Sequence, residues 1–169
     1  AFCHNDFNGT LILPSELISL GDGAFVGCWR LSGVIEIPEN IVAIPSYLFQ
    51  GCSSIEGVIL NKNIEVIGSY AFGDCFYISS LISEAKNPPI INSDSFAGVA
   101  KDNFTLEVPE ASVNLYKNAS NWSEFQRIAA HREFSISRLI YIFAPRHGYF
   151  FGRRAHSTGT HSTLGVHLL

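Results

Sequence analysis

The chain has 169 residues, 47% of them hydrophobic and 15% charged, which is enough apolar material for one continuous core. Its net charge of −4 is uneven: residues 1–125 carry 14 Asp+Glu against 5 Lys+Arg, a balance of −9, and residues 126–169 carry 1 against 6, a balance of +5. An acidic body argues against nucleic acid as a partner, because phosphate binding needs clustered Lys and Arg, and the apolar run Leu139 to Ala144 is far short of the roughly 20 residues needed to cross a bilayer.

The sequence opens at Ala1 and holds no methionine and no charged-then-apolar leader, so it reads as a fragment or a processed chain. Along it, Phe25, Phe49, Phe72 and Phe96 recur at intervals of 24, 23 and 24 residues, a solenoid period. The first unit places Leu11 and Leu13 at fourteen and twelve residues before its Phe, the second places Ile35 and Ile37 there, and the third Val58 and Leu60. That alternation is a short strand with one face turned inward. In the fourth unit the same count gives Ile82 and Glu84, and Glu84 breaks the pattern. Strands are therefore expected near Ile12, Ile35, Val58 and Ile82, stacked in parallel in one sheet. Pro14 and Pro38 follow the first two strands, where a missing N–H costs nothing, and Asn61 replaces them as a turn former. Five residues before each Phe stand Leu20, Ile44, Ile67 and Ile91, and eight before stand Leu17, Ile41, Ile64 and Pro88.

The segments FNGTLILPSELISLGDGAFVGC, LSGVIEIPENIVAIPSYLFQGC and IEGVILNKNIEVIGSYAFGDC resemble leucine-rich repeats of the BspA type, whose unit looks like L-x-x-L-x-IP-x-x-v-x-x-I-x-x-x-AF-x-x-C. NPPIINSDSFAGV followed by LEVPEASVNLYKNASNWSEFQRI is similar to the final coil and cap of that family, with Val99 at the Cys position. The resemblance implies an α/β repeat solenoid of 23–24-residue coils, each with one short parallel strand, and a C-terminal capping helix. It also implies a bacterial cell-surface or secreted protein with an adhesin-like role, binding a host or microbial protein as one monomeric module of a longer chain.

After the last strand, Thr105 to Val108, Trp122, Phe125 and Ile128 recur every three residues as an apolar stripe, and Asn121 with Glu124 forms a capping-box pattern. The solenoid with its cap is thus placed at 1–128, the cap at about 112–128. Residues 129–144 read as a linker or the start of a truncated domain, and 145–169 as a disordered tail with too little apolar burial to fold.

Cys28, Cys52 and Cys75 each lie three residues after a Phe, so they form a ladder at one corner. A ladder does not converge on a point as metal ligands must, and parallel Cβ vectors fit a disulfide poorly. Buried free thiols donating weakly to the loop backbone are expected. Gly21 to Gly27 lacks the spacing and the following helix of a phosphate loop. His131, His147, His156, His161 and His167 are read as solvated rather than as a metal tract. Asn8, Asn103, Asn118 and Asn121 begin N-x-S/T sequons, which matter only where the source glycosylates. No cofactor, metal or catalytic residue is expected. The candidate contact residues lie on the outward strand face, Glu36 and Ile59 with Ile12 and Ser83 in the same row, and at the corners, Trp29, Tyr47, Tyr70, Phe76 and Tyr77. For the corner aromatics the other reading is partial burial between coils. A structural spacer and a carbohydrate-recognition module are the rival functions.

Overall fold

The computed structural model describes residues 9–131, so the expected tail at 145–169 and residues 132–144 lie outside the described residues. In chain order the elements are β1 (Gly33–Glu36), β2 (Ala43–Ile44), β3 (Ile55–Leu60), β4 (Val66–Ile67), β5 (Ser80–Ser83), β6 (Ile90–Ile91), β7 (Thr105–Pro109), α1 (Val113–Asn118) and β8 (Arg127–His131). All pairings are parallel: one sheet runs β1-β3-β5-β7-β8 and a second runs β2-β4-β6. The second sheet is an addition to the one-strand coil expected from the sequence. Its two-residue strands arise where the chain turns back: Ala43, Val66 and Ile90 face out, and Ile44, Ile67 and Ile91 face the core. The strand expected near Ile12 is reduced to a single parallel bridge between Gly9 and Leu31. Leu11 and Leu13 nonetheless pack against the core as partly buried side chains.

The aromatic frame explains why the coils stay in register. Phe25, Phe49, Phe72 and Phe96 stack along the solenoid with ring centroids 5.4, 5.7 and 5.1 Å apart and planes within 10°, 19° and 15°. All four lie on one face, as the period requires. Around them Ile35, Val58, Leu81 and Leu106 fill one row, and Ile37, Leu60, Ser83 and Val108 fill the next. Burying a side chain of this size contributes about 1.5–3 kcal/mol relative to exposure.

The fourth coil departs from the sequence count. Counting back from Phe96 puts Ile82 inward and Leu81 and Ser83 outward, but Val58 pairs with Leu81 and Leu60 with Ser83. Leu81 and Ser83 are the buried residues and Ile82 is half-exposed. From Leu60 to Phe72 is 12 residues and from Ser83 to Phe96 is 13, so the return limb holds one extra residue. The stretch Glu84 to Pro89 absorbs it, and Glu84 lies outside the inward row.

The C-terminal end is not one helix over 112–128. A 3-10 turn at Glu110–Ser112 leads into α1, a second 3-10 turn spans Trp122–Glu124, and the chain then straightens into β8. The three-residue spacing of Trp122 and Phe125 fits the tighter turn, and Ile128 pairs with Leu106 as a half-buried strand residue. The expected capping box is absent: Asn121 sits at φ 63 with no capping bond, and its Nδ2 donates instead to the Ile91 carbonyl at 2.8 Å. Because β8 pairs with β7 as far as His131, the main sheet extends past the boundary placed at 128.

Candidate functional site

The chemistry-bearing side chains that the repeat brings together are the thiols. Each Phe is followed by a tight turn in which the Cys amide donates to the Phe carbonyl, at 3.1 Å for Cys28 and 3.0 Å for Cys52. The same carbonyls accept a thiol from the next coil: Cys52 Sγ donates to Phe25 O at 3.0 Å and Cys75 Sγ to Phe49 O at 3.1 Å. Cys28, Cys52 and Cys75 are buried thiols that form no disulfide. Burial pushes the Cys52 thiol up to about 12, with the neighbouring Cys28 adding to it. Burial raises Cys75 further, with Cys52 the next cause. A thiol held protonated and hydrogen-bonded to backbone is a poor nucleophile. The ladder is therefore a fastening between coils.

The polar groups inside the stack work in the same way. Asn61, read as a turn former, is buried; its Nδ2 donates to Pro38 O at 2.6 Å and Ile41 O at 2.9 Å. Ser83 is hydrogen-bonded to Tyr116 Oη at 2.7 Å, and that hydroxyl donates to Ala85 O at 3.1 Å. Burial pushes Tyr116 up to about 12, partly offset by the Ser83 bond.

The outward strand face is only partly available. Glu36, Ile59, Ile82 and Glu107 form one register row across β1, β3, β5 and β7. Glu36 is exposed, but Ile59 is only 4% exposed, flanked in register by Glu36 and Ile82. Ile59 therefore offers little surface for contact. Ser83, counted into this row from the sequence, points into the core.

The corners are different. Trp29, Phe76 and Tyr77 are 52%, 61% and 72% exposed. The Arg30 guanidinium lies 4.9 Å from the Trp29 ring centroid, covering part of one face. Tyr47 and Tyr70 stack with centroids 5.7 Å apart and planes within 5°, and both have left-handed backbones, φ 61 and φ 52. Gly23 holds the equivalent place in the preceding coil at φ 60, the conformation glycine adopts freely and tyrosine does not.

Sequence reasoning missed one surface. Val66 and Ile90, at 39% and 70% exposure, face out from β4 and β6, Val42, at 53%, immediately precedes β2, and Ile18, at 77%, stands at the same count in the first coil. Their positions six or seven residues before each Phe carried the signal, but without a second sheet there was no face on which to place them. Of the described sequon residues, Asn103 and Asn118 are exposed, and Asn121 is tied to the Ile91 carbonyl.

No described helix is long and apolar enough to cross a membrane. The family model described as BspA type leucine rich repeat region (6 copies) matches residues 1–129. No curated protein matches the chain.

Proposed function

Because the chain belongs to the BspA-type leucine-rich repeat family, we propose that it is a non-catalytic protein-binding scaffold, an adhesin-like module displayed on a bacterial surface or secreted. The observation that carries this reading is the set of aromatic side chains held outside a rigid stack: Trp29, Phe76 and Tyr77 are more than half exposed while the Phe and Cys beside them are buried. Large aromatic rings exposed at fixed positions supply contact area at little ordering cost, which is the economy of a binding surface. Catalysis asks for the opposite arrangement, unlike groups converging in a water-excluding pocket. The repeat sets like residues in rows, and its thiols are spent on backbone bonds. At the ordinary strand spacing of about 4.7–4.9 Å per coil the surface is short, so single-site affinity is modest and avidity along a longer parent chain matters.

The test is binding of the full chain to immobilised extracellular-matrix and bacterial surface proteins beside a panel of glycans. Saturable binding to a protein, lost in Trp29→Ser with Phe76→Ser and Tyr77→Ser at unchanged circular dichroism, supports the reading. Binding confined to glycans, or turnover of a substrate that survives repurification, overturns it.

A further inference from the structure

The stacked tyrosines point to the chemistry of the partner. Resting on the binding reading above, we propose that the Tyr47–Tyr70 ridge is a docking site for an arginine-bearing polypeptide segment. The ridge is formed by residues 22–27, 46–51, 69–74 and 93–98 of successive coils, which contain Asp22, Asp74 and Asp94 and no Lys or Arg. The described chain as a whole carries 13 Asp+Glu against 6 Lys+Arg, a balance of −7, so the ridge lies in a field that draws cations.

The register sets these groups in one line. Gly23 N donates to Ser46 O and Tyr47 N to Ser69 O, each the residue before the next coil's equivalent, and Phe72 N donates to Ser95 O in the same phase. Gly23, Tyr47, Tyr70 and Asp94 are therefore successive members of one row, with two π-faced rings between a bare glycine at one end and a carboxylate at the other. Asp94 is half-buried, and its Oδ1 is buried with no hydrogen-bond partner among the described residues. Asp74 reaches over the next coil: its Oδ1 lies 3.0 Å from where a Cβ on Gly98 would stand.

Neither tyrosine belongs to the buried core cluster. Tyr47 is 44% exposed, and both rings sit on left-handed backbone that favours glycine, a conformation that persists only where something else maintains it. What the pair offers is electron-rich ring faces at the two ends of the stack, in a row that also holds a carboxylate. A guanidinium matches it better than an ammonium, because the planar group stacks on a ring while its N–H donors reach a carboxylate.

The experiment uses the full chain and three probes at low ionic strength: a glycine-spaced tetra-arginine peptide, its lysine counterpart and spermidine, with binding followed by the ¹H–¹⁵N shifts of the Tyr47 and Tyr70 amides. The arginine peptide is expected to bind and shift these amides, the lysine peptide and spermidine to bind more weakly. Tyr47→Leu with Tyr70→Leu is expected to weaken the arginine peptide roughly tenfold, the loss of cation–ring contacts to one exposed and one half-buried ring. Asp94→Asn is the second variant, which leaves the rings in place and is expected to weaken binding less. Arginine-peptide binding unchanged in the double tyrosine variant, equal binding of all three probes, or no shift at Tyr47 and Tyr70 overturns the proposal. Those results leave the broader reading standing if the Trp29, Phe76 and Tyr77 variant still loses a protein ligand, so the two failures are separable.

Discussion

The two ends of the described solenoid hold together by different means. At the N-terminal side Leu11, Leu13, Leu17 and Leu20 are only partly buried, and among the described residues the first strand is reduced to one bridge. At the C-terminal side Tyr116, Trp122 and Phe125 are buried, and their neighbours reach back to one coil. Ser112 Oγ donates to Lys86 O at 2.6 Å, Trp122 Nε1 to Pro89 O at 2.7 Å and Asn121 Nδ2 to Ile91 O at 2.8 Å. The Phe ladder also changes character there: Phe96 meets Phe125 edge-on at 87° and Trp122 at 57°. Like residues stack on their own copies within the repeat, whereas the end is closed by unlike residues that satisfy the last coil's carbonyls. A stack of this kind gains its stability from neighbours, so a coil with fewer neighbours opens more easily.

The largest expected effect is that of Phe72→Ala, because Phe72 is stacked on both sides and fully buried. Losing the ring and leaving a cavity costs about 3–5 kcal/mol, read as a drop in the urea midpoint of the full chain. Phe25→Ala, at 6% exposure against 0% for Phe72 and in the coil whose leucines are only partly buried, is expected to cost less. Equal losses at the two sites would break the comparison.

Next comes Tyr116→Phe. It leaves the Ser83 hydroxyl and the Ala85 carbonyl buried without their bonds to Tyr116, a cost of about 1–3 kcal/mol. The matching change on the ladder, Cys52→Ala, removes one weak S–H donor and a small volume and is expected to cost about 1 kcal/mol. Should Cys52→Ala prove the more damaging, the thiol ladder rather than the closed end would dominate.

Alkaline pH is expected to act on both regions. The Cys52 thiol moves from 9.0 to about 12 and the Tyr116 phenol from 10.0 to about 12 on folding. A folded-state pKa raised above the unfolded value contributes stability that is full below the unfolded value and lost as pH rises through the folded one. The urea midpoint is therefore expected to hold up to about pH 9 and fall steadily towards about pH 12. A midpoint flat across that window would contradict the burial of these groups.

The smallest expected effect is that of Tyr47→Gly, which gives up a half-exposed ring but relieves a left-handed backbone at φ 61. The two terms oppose each other, and the net change is expected within about 0.5 kcal/mol.

What the sequence made legible follows from this contrast. Periodicity reveals whatever repeats, so Phe25, Phe49, Phe72 and Phe96 fixed the frame, and the Cys corner and the inward rows of the second and third coils followed. It assumes equal coils, and the extra residue between Ser83 and Phe96 moved the fourth strand by one position. The capping-box pattern at Asn121 misled because a short polar side chain that can cap a helix can equally occupy a left-handed turn and donate to a distant carbonyl. That choice was made by Ile91, thirty residues away in the chain. At the surface, Trp29, Phe76 and Tyr77 were picked out by their corner positions, but Ile59 was not distinguishable from an open contact residue until its neighbours were in place.

The most direct measurement of the stack and its closed end is thiol labelling of the full chain across a denaturant series without reductant, with Cys28, Cys52 and Cys75 resolved by peptide mass. All three are expected to be masked under native conditions, Cys28 to react at the lowest denaturant, and Cys75 to react only as the circular dichroism is lost. Labelling of Cys75 at or before Cys28, ready labelling of any of the three in the native state, or a thiol still unlabelled after full denaturation would contradict it.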